Sequence, residues 1–237
     1  MILNKDKIKP HKLPPCVVMA GGIGSRLGSI TKSTPKPVIK INSRPYIIYL
    51  LDWLTKSGFK KFYFFLSFKN KKIIKVLKKY FLNKKLKYTV FIDKRRRGTY
   101  LALFNQIKKI DKFFFYTNAD EISNLNIKNM YQKFKKSKKF IMCSVIKSKK
   151  GNLNLNEQKN TLKKSCNNKN ILYKDCGYKF VNKKIFNKKK KYKKIEDFIY
   201  NYFMNNNNVS YYLIKDLPLR IDTANDIKRT KSKLKYV

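Results

Sequence analysis

The run Val17-Val18-Met19-Ala20 passes into Gly21-Gly22-Ile23-Gly24-Ser25-Arg26-Leu27, and Lys36 follows in Thr34-Pro35-Lys36-Pro37. A glycine-rich turn after an apolar strand exposes backbone N–H groups where no Cβ blocks a phosphate oxygen. Arg26 adds a planar fork of donors and Lys36 a mobile point charge, both suited to a polyphosphate. The same string also reads as a tight turn between a core strand and a helix, flanked by two solvated cations. A second signal is Phe113-Phe114-Phe115-Tyr116-Thr117-Asn118-Ala119-Asp120-Glu121, an apolar run that ends abruptly in acid. Carboxylates set at the end of a buried strand offer the oxygen ligands that hard cations take. The plain alternative is a strand-to-turn junction with Asp as a cap. With only 13 acidic residues among 237, the adjacent pair carries unusual weight. A third string, Leu219-Arg220-Ile221-Asp222-Thr223-Ala224-Asn225-Asp226, has the pattern strand, acid, helix start.

The elements that must position these residues alternate regularly. Cys16–Ala20 reads as a first, fully buried strand. Val38–Ile41 is a short extended piece, and Ser43-Arg44-Pro45 opens a helix capped by Asn42 or Ser43 and ended at Ser57-Gly58. Residues 60–68 form an aromatic-rich strand, 71–82 a helix with Ile73, Ile74, Leu77, Tyr80 and Phe81 on one face, and 88–92 another strand. Gly98-Thr99 opens a helix reaching about Ile110. Further elements are a helix near 127–136, strands at 140–146, 172–180 and 209–214, and a helix at 196–204. Residues 149–170 are polar and weakly periodic, and the basic run 188–194 reads as a solvated loop. Strand–helix alternation of this kind predicts an α/β fold: one domain, a doubly wound and mostly parallel sheet, ligands at the carboxyl ends of its strands.

Composition bounds the rest. Hydrophobic residues make up 43% and aromatics 14%, enough for a folded core. The net charge of +45 would ordinarily point to nucleic acid, but the lysines are spread through nearly every segment, so no specific nucleic-acid partner is expected. Cys16, Cys143, Cys166 and Cys176 have no Cys-x-x-Cys spacing and His11 is the sole histidine, so nothing supports a zinc site or a Cys–His nucleophile. No apolar run approaches the ~20 residues of a membrane span, and residues 1–15 form a basic tail without a signal-peptide core. The expectation is a cytoplasmic protein with reduced thiols.

Gly-Gly-x-Gly-(Ser/Thr)-Arg-Leu followed by Pro-Lys-Pro resembles the signature of the sugar-phosphate nucleotidyltransferases, which make NDP-sugars from an NTP and a sugar 1-phosphate. It is neither a Walker loop, since no Gly-Lys-Ser/Thr follows, nor the dinucleotide fingerprint, since Leu27 stands where the third glycine belongs. The other two strings resemble the family's Asn-Ala-Asp segment and its closing Ile-Asp motif, in the correct order. The resemblance implies a Rossmann-like, GT-A-like domain over residues 16–237, with Mg²⁺ held by Asp120 and Asp222. It assigns Arg26 and Lys36 to catalysis, and Ala20, Gly21, Gly22, Gly24, Ser25, Gly98 and Thr99 to the nucleotide. Asp175 and Gly177, in a segment similar to the family's Asp-Ala-Gly strand, would touch the sugar. Lys164 is the nearest counterpart of the family's sugar-phosphate lysine, without its usual Glu.

Two departures stand out. Tyr100 and Leu101 replace residues that are usually small, a change expected to narrow or reshape the base or sugar pocket. Thr223-Ala224 stands where Gly-Thr is usual after Asp222, and Asp226 is expected to cap the last helix. Size and general run are most similar to the heptose 1-phosphate guanylyltransferases and the muramate 1-phosphate uridylyltransferases. GTP is therefore the favoured nucleotide, with UTP or CTP open, and a homo-oligomer is compatible with the chain. A choline-phosphate cytidylyltransferase type and a catalytically silent nucleotide-binding relative are the alternatives.

Overall fold

Cys16–Met19 (β1) is buried at every position, and its residues divide between two cores. Cys16 and Val18 face one hydrophobic cluster, Val17 and Met19 the other, as the period of a strand dictates. The structure is a computed structural model that describes residues 12–22, 24–67, 69–165, 172–187, 192–204 and 207–234. Most of the basic tail, His11, Ile23, Cys166 and Lys188–Lys191 therefore lie outside the described residues.

The central sheet has nine strands. In chain order they are β1, β2 (Lys61–Leu66), β3 (Lys87–Ile92), β4 (Phe113–Asn118), β5 (Ile141–Lys147), β6 (Leu153–Asn156), β7 (Thr161–Lys164), β8 (Tyr173–Asn182) and β9 (Val209–Leu213). One half, β3-β2-β1-β4, is wholly parallel. The ten-residue β8 is inserted antiparallel between β4 and β5, and β9 lies parallel beside β5. The chain leaves β1 toward β2 and β3, then returns to β4 on the other side of β1. That reversal opens a crevice at the carboxyl ends of β1 and β4, the switch point where ligands bind in such sheets.

Helices Tyr46–Lys56 (α1), Asn70–Phe81 (α2) and Ile127–Ser137 (α4) cover one face; the short helix Thr99–Phe104 (α3) packs on the other. Each of the longer helices presents an apolar stripe, such as Ile73, Leu77 and Phe81 of α2, to the sheet. The doubly wound architecture expected from the alternation is present.

Several local expectations need correction. Asn42 and Ser43 do not cap a helix. With φ of 46° and 67° they form the two-residue turn of a small hairpin between Lys40–Ile41 and Arg44–Pro45, and α1 starts after Pro45. Paired positive φ is what such hairpins require, and Asn tolerates it. Within the polar, weakly periodic segment after β5, β6 and β7 form an antiparallel hairpin through residues 157–160. Helix 99–110 breaks after Phe104, with a 3₁₀ turn at Ile107–Lys109. The helix expected at 196–204 is one α turn, Ile195–Phe198, followed by a π turn, Ile199–Phe203. Cys16, Cys143 and Cys176 are buried free thiols, and burial pushes the pKa of each up. Among the described residues no helix is long and apolar enough to cross a membrane.

Candidate active site

Two cavities meet at the carboxyl end of β4. The first, about 320 Å³, is walled by the ends of the parallel strands: Met19 to Gly22 after β1, Phe65 to Ser67 at the end of β2, and Asn118 to Asp120 after β4. Gly98, Thr99 and Ala102 of the α3 start complete it. Small residues make up much of this wall, with Lys36, Asp120 and, after β3, Asp93 and Arg96 set among them. Gly21 lies so close to Ser67 that the Ser67 hydroxyl donates to its carbonyl at 2.5 Å. Gly24 sits at φ 74°, in the left-handed region that suits glycine, and starts the 3₁₀ turn Ser25–Leu27. Of the residues assigned to the nucleotide, Ala20, Gly21, Gly22, Gly98 and Thr99 line this cavity. Gly24 and Ser25 do not line it; they shape the turn beside it, where the Thr31 hydroxyl donates to the Gly24 carbonyl at 3.0 Å.

Tyr100 and Leu101 do not narrow the cavity. Tyr100 is fully buried and stacks among Phe104, Phe186, Tyr192 and Phe198, on the core side of α3, and Leu101 packs against the same cluster. A six-residue helix turns successive residues to different sides, so Thr99 and Ala102 face the cavity while Tyr100 faces the core.

The centre lies at the seam. Lys36, 9% exposed, stands between two carboxylates: its ammonium donates to Asp120 Oδ2 at 2.5 Å and to Asp222 Oδ1. Arg26, 71% exposed, approaches Asp222 Oδ2 at 3.5 Å. Asp120 follows β4 directly. Asp222 is delivered by a two-strand ribbon in which Leu219–Arg220 pairs with Glu121–Ile122. The helix Ala224–Lys233 (α5) anchors that ribbon through a capping box between Thr223 and Asp226, so Asp226 caps as expected. Burial opposes the charge on Asp222, yet hydrogen bonding by Lys36, with Arg26 and Arg220, holds its carboxyl below the usual range. Two carboxylates converging on one cation, partly open to the cavities, are a donor set that suits Mg²⁺, which takes one or two carboxylates and completes its shell with water and phosphate.

The second cavity, about 340 Å³, shares Asn118 and Asp120 with the first and is polar. Arg26, Asp175, Gly177 and Asp222 line it with Glu121 and Arg220, which stand beside the two motif acids, and with residues that no motif pointed to: Lys179, Lys194, Glu196 and Tyr200. Gly177, at φ 85°, occupies an irregularity where the register of β8 against β5 shifts between Asp175 and Lys179. A Cβ there would fall 1.8 Å from Glu121 Oε1. Glu121 is almost wholly buried, and burial pushes its pKa up to about 7 although Arg220 pairs with it at 2.9 Å. Lys179 is fully buried between Asp175, at 2.9 Å, and Glu196, at 3.8 Å; burial works against its charge, but the two carboxylates prevail and raise its pKa. Lys164 is in neither wall: it is exposed on the outer strand β7.

Segment 193–200 ties the two cavities together. The Lys193 carbonyl accepts from Tyr100 N at 3.2 Å, and the Thr99 hydroxyl accepts from Ile195 N at 3.0 Å. One signal for this segment was available in the sequence: Glu196-Asp197 is an acidic pair in a stretch otherwise rich in lysine.

Comparison with known proteins gives the family and the fold. The family model described as Nucleotidyl transferase matches residues 16–153. The D-glycero-alpha-D-manno-heptose 1-phosphate guanylyltransferase of Campylobacter jejuni is 30% identical over 147 residues, which cover 60% of this chain and 63% of that enzyme. The chain thus matches less than two thirds of the length of such curated relatives. HddC from Yersinia pseudotuberculosis, solved with GMP-PN, superposes with a TM-score of 0.73 at 22% identity, over 94% of this chain and 100% of that one. The inositol-1-phosphate CTP transferase from T. maritima superposes at 0.77 with 19% identity, over 96% and 98%. Those two likenesses are of fold; the family match covers more than half the chain, including the glycine-rich loop, Arg26, Lys36 and Asp120, and the chain belongs to the nucleotidyl transferase family.

Proposed function

We propose that this chain condenses an NTP, with GTP favoured, and a sugar 1-phosphate into an NDP-sugar and pyrophosphate, in the cytoplasm. The observation that carries the proposal is the meeting of two cavities at Lys36, Asp120 and Asp222, one rich in small residues at strand ends and the other lined mostly by charged side chains. The heptose 1-phosphate specificity of the Campylobacter relative and the GMP-PN in HddC support guanine and a heptose-like acceptor.

The chemistry asks for positioning and charge neutralisation rather than a base. A phosphate monoester has a second pKa near ~6, so the attacking oxygen is already anionic at neutral pH. That agrees with a described site whose titratable groups include no histidine. The Gly21–Gly22 backbone and the start of α3 hold the nucleotide, with Arg26 and Lys36 directed at its phosphates. Lys36 keeps a hydrogen-bonding partner throughout, first the carboxylates and then phosphate oxygen, so its buried charge is never left bare. Asp120 and Asp222 would hold Mg²⁺, which supplies neutralisation of the charge that develops on the reacting phosphates.

A pyrophosphate-release assay over four NTPs, with Mg²⁺, sugar 1-phosphates and phosphocholine, tests this. Turnover is expected with GTP and a sugar 1-phosphate, lost on chelation. Silence in every combination from folded protein would leave a nucleotide-binding relative, and turnover with CTP and phosphocholine alone a cytidylyltransferase.

A further inference from the structure

We infer that Arg220 is a positioning residue of the centre: paired with Glu121, it locks the strand that carries Asp222 onto the strand that carries Asp120, and so sets the gap between those two carboxylates. The inference rests on the transferase reading above and adds to it a residue whose part is to hold others. The ribbon that brings the two acids together is very short. Leu219–Arg220 opposes Glu121–Ile122, and one further bond runs from Ile221 N to the Asp120 carbonyl at 3.3 Å. A two-stranded ladder is marginal even at greater length, so side chains must hold its register. Alternation along a strand sends Ile122 and Leu219 to one face of the ribbon and Glu121 and Arg220 to the other. Ile122 and Leu219 border a separate cavity of about 540 Å³, beside Trp53, so that face is not closed by tight packing. On the other face Arg220 and Glu121 stand directly opposite in register and pair at 2.9 Å, their side chains 28% and 5% exposed. The missing Cβ of Gly177 leaves the room that Glu121 needs for this.

The other fastenings of Asp222 act in different directions. The Tyr46 hydroxyl donates to the Leu219 carbonyl and the Thr230 hydroxyl to the Arg220 carbonyl, each at 2.8 Å. They tie the strand of Asp222 to α1 and α5, not to the strand of Asp120. Lys36 does bridge the two acids, but it is the group that turns to phosphate during the reaction. Once it turns, the mutual repulsion of Asp120 and Asp222 is resisted by the ribbon, and Arg220 with Glu121 still spans it. The pairing also keeps Glu121 engaged, so a third carboxylate, next in sequence to Asp120, is withheld from the centre. Stability alone does not call for such a pair, because apolar residues of similar volume commonly replace a buried ion pair without loss. What a planar guanidinium opposite a carboxylate adds is geometry.

The test uses Mn²⁺ as the probe of the metal position, added with a non-hydrolysable GTP analogue, and follows free Mn²⁺ by electron paramagnetic resonance. Arg220→Met is expected to weaken Mn²⁺ binding about tenfold, and to raise the Mg²⁺ needed for half-maximal pyrophosphate release by a similar factor. At saturating Mg²⁺, KM for GTP and for the sugar 1-phosphate should stay within about threefold. Arg220→Lys keeps the charge but not the planar fork, and should fall between wild type and Arg220→Met. Arg220→Met strands a buried carboxylate, so Arg220→Met combined with Glu121→Gln is measured beside it. The double variant should regain most of the melting temperature but not the Mn²⁺ affinity. Mn²⁺ affinity that returns together with the melting temperature would reduce the pair to a merely structural one and overturn the inference. So would wild-type Mn²⁺ binding in Arg220→Met, or a raised sugar 1-phosphate KM with Mn²⁺ binding unmoved. Wild type that binds no Mn²⁺ with the analogue and releases no pyrophosphate would instead overturn the transferase reading.

Discussion

The two cavities are built by opposite means. The first, which the proposed reading gives to the nucleotide, is made largely of small residues at the ends of adjacent parallel strands, with Lys36, Asp93, Arg96 and Asp120 among them, so much of its shape comes with the fold. The second, which that reading gives to the acceptor, is lined mostly by charged side chains on the antiparallel insertion β8, the turn at 195–200 and the ribbon that carries Arg220. A backbone wall can be inherited unchanged across relatives that use one kind of co-substrate. A wall of side chains changes with every substitution. On the proposed reading, the contrast puts generic phosphate handling in one half of the sheet and choice of acceptor in the other.

Substitutions break or sharpen that contrast by where their effects fall. Asp120→Asn, at the seam, should lower kcat/KM for pyrophosphate release by about 10³-fold or more for every nucleotide and acceptor, because charge stabilisation at the reacting centre is removed. Wild-type-like turnover would dissolve the seam as the centre. Arg26→Ala should cost about 10²-fold in the same assay. Gly177→Ala adds a Cβ 1.8 Å from Glu121 Oε1 at a φ of 85°. It should lower stability in urea titration by about 2 kcal/mol or more and raise acceptor KM above any change in nucleotide KM. A larger shift in nucleotide KM would mean that the cavities are not separable. Tyr100→Leu should cost about 2 kcal/mol in stability through lost aromatic packing, with nucleotide KM unmoved. Lys164→Ala, on the outer strand, should change acceptor KM by less than about twofold.

The same contrast explains what the sequence disclosed. Gly21 to Gly24, Arg26, Lys36, Asp120 and Asp222 were recognisable because strand ends concentrate them in short strings at sharp apolar-to-polar boundaries. Lys179 and Tyr200 were not. In a chain with 58 lysines and arginines, one more lysine on a strand carries no contrast, and nothing local tells that it will be fully buried. The stretches that bring these residues inward, an irregular strand and a π turn, also break the regular periods on which recognition of elements depends. Tyr100 misled for a related reason: a residue beside a motif is on the motif's face only when the element is extended, and here it is helical. The β6–β7 hairpin was missed because its strands are four residues each and polar on most positions.

The contact between Lys36 and Asp222 spans 186 positions of the chain. During synthesis at ~5–20 residues per second, Lys36 emerges roughly 10–40 s before its partner, and the parallel strands that wall the nucleotide cavity are also complete well before Asp222 appears. On the proposed reading, the strand ends that wall the first cavity precede in the chain the one carboxylate that completes the centre, and it is the final ribbon, held by the α5 capping box, that brings Asp222 to Lys36.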